Sequence, residues 1–68
     1  MKAIITLKAG DIILAYDFEY FRWITCKVNR TEKSLITLEY IEGNLKGSTW
    51  YENIAKIRNP DYYRMAGS

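Results

Sequence analysis

Most proton-transfer chemistry near neutral pH uses an imidazole, and this chain of 68 residues contains no histidine. Its single cysteine, Cys26, lies between Thr25 and Lys27 with no such base to activate it. A small buried hydrophobe in a reducing compartment is the reading that fits it. Asp17 and Glu19 stand two residues apart and could in principle share acid and base roles, but loops at strand ends carry solvated carboxylates routinely. The eight acids form no dense run of the kind a calcium loop needs. We therefore expect no catalysis, no metal and no cofactor.

What the chain supplies instead is recognition chemistry. Between Gly10 and Arg58 it carries Tyr16, Phe18, Tyr20, Phe21, Trp23, Tyr40, Trp50 and Tyr51. Rings offer faces to cations and to other flat groups, and Asp17 and Glu19 sit among the first of them, where a carboxylate suits a cationic or peptide ligand and repels phosphate. The candidate ligand-binding set is Tyr16, Asp17, Phe18, Tyr20, Phe21, Trp23, Tyr40 and Tyr51. A second set, Arg22, Lys27, Arg30 and Lys33, would suit phosphate and gives the candidate nucleic-acid contacts. Ten bases against eight acids leave a net charge of +2, so the overall field is too weak to hold nucleic acid and any such binding needs a local patch.

The elements that must position these groups are short and alternating. Ala3 to Leu7 is an apolar lead-in, and Lys8 to Asp11 a turn. Ile12 to Tyr16 reads as a strand, Asp17 to Phe21 as a polar and aromatic loop, and Arg22 to Asn29 as a second strand with Ile24, Cys26 and Val28 on its inner face. Arg30 to Lys33 forms a charged hairpin connection. Ser34 to Ile41 follows as a third strand with Ile36, Leu38 and Tyr40 on one face. Glu42 to Gly47 is a second connection, Ser48 to Tyr51 a fourth strand, and Glu52 to Ile54 a tight turn feeding a last strand over Ala55 to Arg58. Pro60 ends that strand, one helical turn runs through Tyr62 to Arg64, and the rest frays. This describes an all-β domain: a five-stranded, SH3-like barrel over 1–60, with a short turn before the last strand and a tail over 61–68.

Several of these residues fall into a family pattern. Gly10-Asp11-Ile12-Ile13-Leu14-Ala15, Trp23-Ile24-Thr25-Cys26-Lys27-Val28, Ile36-Thr37-Leu38-Glu39-Tyr40 with Gly43-Asn44, and Asn53-Ile54-Ala55-Lys56-Ile57 resemble successive strands of a Tudor domain. The resemblance implies a barrel and, in members that bind methylated lysine or arginine, an aromatic cage. Tyr40 and Trp23 match positions of that pattern, and Tyr16 and Phe18 flank a third, which falls on Asp17. Ile41-Glu42 stands where a further ring is expected. A shorter stretch, Leu14-Ala15-Tyr16-Asp17-Phe18, is similar to the signature of true SH3 domains, which bind proline-rich peptides across aromatic grooves. The paired tryptophans and the proline-bearing last turn of that family do not appear where its pattern has them.

A hydrophobic fraction of 49% and an aromatic fraction of 15% argue against disorder. A domain this short buries only about 60% of its surface, so a barrel of this size cannot hide all its rings and the remainder should form a contact surface. The longest apolar run, Ile12 to Tyr16, is far too short to cross a bilayer, and the N-terminus lacks a signal-peptide core, so a cytoplasmic protein is expected. The expected function is that of a stand-alone adaptor or regulator, docking on a protein partner of nucleic-acid-associated machinery that presents Lys or Arg. Direct nucleic-acid binding and a structural homo-oligomer, formed through an edge strand, are the alternatives.

Overall fold

The computed structural model describes residues 7–66; the lead-in before Leu7 and the final Gly67-Ser68 lie outside the described residues. Five antiparallel strands form one sheet: β1 (Ile12–Asp17), β2 (Arg22–Thr31), β3 (Leu35–Tyr40), β4 (Thr49–Asn53) and β5 (Tyr63–Met65). The sheet order is β4-β3-β2-β1-β5. The first four strands follow one another as a meander, and β5 returns to pair beside β1, with Leu14 opposite Arg64 and Ala15 opposite Tyr63.

Alternation decides which face is inside. Ile13 and Ala15 of β1, Ile24, Cys26 and Val28 of β2, Ile36 and Leu38 of β3, and Tyr63 of β5 are all buried, and Ile57 joins them. The residues between them point outward, as a period of two requires. A shift in register between Val28 and Arg30 lets the long β2 bend over the core.

Two assignments made from sequence are corrected. Ala55 to Arg58 is not the last strand: Ile54–Ile57 is a helical turn, α1. Asn53 caps it, its Oδ1 accepting from the Ala55 amide at 2.8 Å, and the spacing of Ile54 and Ile57 puts both against the core. The last strand is Tyr63–Met65, inside the stretch read as a helical turn and tail. A second asparagine prepares it, since Asn59 Oδ1 accepts from the Asp61 amide at 2.9 Å and turns the chain at Pro60.

Among the described residues, backbone pairing does not close the expected SH3-like barrel. The sheet is open, with β4 and β5 as its edges. Side chains cross the gap instead: Trp50 Nε1 donates to the Tyr63 hydroxyl at 3.4 Å, and that hydroxyl donates to Glu52 Oε1 at 2.5 Å. Burial, followed by the bond to Glu52, pushes the Tyr63 phenol well above its usual range and keeps it a donor.

Candidate functional site

Of ten aromatic rings, only Tyr63 is buried. Phe18, Tyr20, Phe21 and Tyr51 are 57%, 59%, 76% and 74% exposed, which leaves large apolar surface in water. Their distribution matters more than their number.

One cluster forms on the outer face where β1, β2 and β5 meet. Tyr16 stands opposite Trp23 in the β1–β2 register, and the two rings pack edge to face with centroids 5.1 Å apart. Phe18 packs edge-on against Tyr16 at 4.8 Å and reaches Tyr62 at 5.6 Å. The Tyr16 amide donates to the Tyr62 carbonyl at 2.8 Å, which ties the turn before β5 to β1. The Arg64 guanidinium lies over the Trp23 ring, 4.3 Å from its centroid, and the Lys56 ammonium lies 4.9 Å from that of Tyr62. Around these rings runs an open groove of about 430 Å³, lined also by Pro60 and Asp61.

The loop that carries Phe18 is held by its own acid. Asp17 Oδ1 accepts from the Glu19 amide at 2.8 Å and from the Tyr20 amide at 3.3 Å, so this carboxylate is engaged in forming the turn. Glu19 is exposed beside it. Tyr20 lies over the other side of the loop, where the Arg22 guanidinium is 5.8 Å from its ring centroid and a shallow depression of about 130 Å³ separates it from Leu45.

Tyr40 does not join Trp23. It points to the inner face, stacks on Trp50 with centroids 4.3 Å apart and packs against the core, where burial raises its phenol pKa. The rings matched to a Tudor cage are therefore divided between two faces of the sheet. Tyr51 stands on the outer face of β4, opposite Thr37, and Phe21 occupies the tip of the first loop. Neither lines the groove.

The bases read as phosphate contacts have acids close by. Arg30 pairs with Glu32 at 2.9 Å, and Lys27 registers opposite Glu39, which also accepts from Asn29 Nδ2 at 3.0 Å. Lys33 is exposed on the hairpin. Glu42, near Arg22, accepts from the Thr25 amide at 2.7 Å, and that bond lowers its carboxyl pKa.

Pro60, Asp61, Tyr62 and Arg64 are the groove residues that the sequence reading missed. Their signal was present in Tyr62-Tyr63-Arg64-Met65, an inward and outward alternation just after a proline. Cys26 is fully buried, and its thiol is pushed up to about 12, chiefly by burial. Among the described residues no group of three or more His, Cys, Asp or Glu is placed to hold a metal ion, and no helix is long and apolar enough to cross a membrane. Comparison with family models, curated proteins and solved structures returned no match.

Proposed function

We propose that this protein is a non-enzymatic binding module that docks an extended segment of a protein partner across the groove of Tyr16, Phe18, Trp23 and Tyr62. The observation that carries this reading is the mutual packing of those four side chains around one open groove, with Trp23 ordered from above by Arg64. Rings that hold one another in place lose little freedom when a ligand arrives, so the contact area they offer is preorganised. Trp, Tyr and Arg are also the side chains that dominate binding energy at protein interfaces.

The ligand class follows from shape and chemistry. A row of ring edges and faces suits a polyproline-type or otherwise extended segment, which carries its own stiffness and needs no partner strand. Asp61 within the groove favours a segment that includes Lys or Arg. The finer fold, an SH3-like barrel, is supported by the meander of β1 to β4, the helical turn before β5, and the Trp50, Tyr63 and Glu52 bridge between the edges. Pro60 stands in the turn before the last strand and lines the groove. A role as adaptor on nucleic-acid-associated machinery is what the Tudor resemblance adds.

Fluorescence anisotropy with labelled proline-rich decapeptides and a labelled single-stranded oligonucleotide, across salt concentrations, tests the reading. Trp23→Ala should weaken peptide binding by about ten-fold or more, while Tyr51→Ala, exposed but outside the groove, leaves it unchanged. Equal effects of the two substitutions would overturn the groove. Oligonucleotide binding that depends on Lys27, Arg30 and Lys33 would give the function to the other patch.

A further inference from the structure

We propose that Arg64 is the specificity residue of this groove, reading a carboxylate on the docked protein segment while Asp61 faces a Lys or Arg of the same segment. This rests on the docking role proposed above and goes beyond it by assigning the ligand an acidic and a basic residue at set spacing.

Arg64 projects from the outer face of β5, is exposed, and lies over Trp23. A guanidinium seated on a ring keeps its in-plane N–H donors available, and those donors match a carboxylate in two-pronged geometry. Among the described residues the ion pairs are Lys8 with Asp11 and Arg30 with Glu32, and no carboxylate lies within ion-pair distance of Arg64. Its charge is positioned by the ring and not neutralised by the protein.

Asp61 occupies the same groove, exposed, in the turn before β5. Asp17, the other acid among the rings, is engaged by the amides of its own loop. Asp61 and Arg64 are three residues apart, so their Cα atoms are separated by at most about 11 Å. An extended ligand rising about 3.1 Å per residue covers that span in three or four residues. The complement is a segment with a proline or aliphatic residue on the rings, a carboxylate at one end and a cation about three residues away. A polynucleotide fits less well, because its successive phosphates all carry one sign of charge and offer no partner to Asp61.

Seven decapeptides with a common Pro-Pro centre test this, carrying Glu and Lys three residues apart in both orders, each order with Gln in place of either residue, and Gln at both positions. We expect one Glu and Lys order to bind about five-fold more tightly than its Glu-to-Gln version, a difference that Arg64→Gln abolishes whatever it does to the affinity for the peptide with Gln at both positions. Arg64→Lys should restore part of it, as the charge remains but the fork does not. Thermal unfolding of each variant at the wild-type midpoint shows that the fold is retained. If all seven peptides bind alike, the charge assignment fails while the groove stands; if none binds, the docking role fails with it. A preference for Glu that survives Arg64→Gln would place the carboxylate contact elsewhere and overturn the proposal.

Discussion

Phe21 holds its backbone at φ 56°, among the described residues the one non-glycine in the left-handed region, at the tip of a loop whose side chain points into water. An L residue there carries a strain of about 1 kcal/mol, which glycine does not. Phe21→Gly should therefore leave stability unchanged or raise it by up to about 1 kcal/mol in urea titration, whereas Phe21→Val should lower it. A clear loss with glycine would mean the ring packs on its neighbours. Cys26 gives a second check at this scale. Its folded pKa is raised from 9.0 to about 12 by burial, so the neutral thiol stabilises the fold below pH 9 and that contribution is lost as pH rises towards 12. The phenols of Tyr40 and Tyr63, both also raised, add to the loss above pH 10. Between pH 9 and 10 the unfolding free energy should fall with a slope approaching about 1.4 kcal/mol per pH unit, and Cys26→Ala should flatten it. An unchanged slope in the variant would show that another group titrates there.

Among the elements, the bridge between the edge strands has the clearest cost attached. Tyr63→Phe removes the hydroxyl that accepts from Trp50 and donates to Glu52, while keeping the ring in the core. We expect a loss of about 1–2 kcal/mol in urea unfolding, and a change below about 0.3 kcal/mol would contradict the view that side chains join the two edges. The strands β1 to β3 were legible from sequence because each buries one face and writes the alternation plainly, as in Ile24, Cys26 and Val28 or Ile36 and Leu38. The stretch after Asn53 was not, for a physical reason. Over four residues, Ala55-Lys56-Ile57-Arg58 alternates as a strand would, yet Ile54 and Ile57 also share a helical face. The Asn53 cap decides between them, and a side-chain oxygen reaching its own backbone leaves no trace in hydrophobic period. Misplacing that one turn moved β5 out of the sheet, and half of the groove went unseen with it.

For the molecule as a whole, size governs exposure. Extents of 29 × 25 × 19 Å enclose, among the described residues, nine buried hydrophobic ones, of which a single one is aromatic. The expectation that rings would be left outside holds, whereas their membership in one site does not: Tyr40 turned inward, Tyr51 and Phe21 point elsewhere, and Tyr62 joined from beyond the assumed boundary. Which rings share a face depends on register and on the path of the last strand, and single-residue chemistry carries neither. Docking as proposed depends on the groove built by Tyr16, Phe18, Trp23 and Tyr62. Its most direct test is a ¹H-¹⁵N NMR titration of the whole protein with the Glu- and Lys-bearing proline-rich decapeptides. The largest shifts are expected at Tyr16, Phe18, Trp23 with its indole N–H, Tyr62 and Arg64, with Tyr51 and Lys33 still. Shifts centred instead on Lys27, Arg30 and Lys33, or none at millimolar peptide, would contradict it.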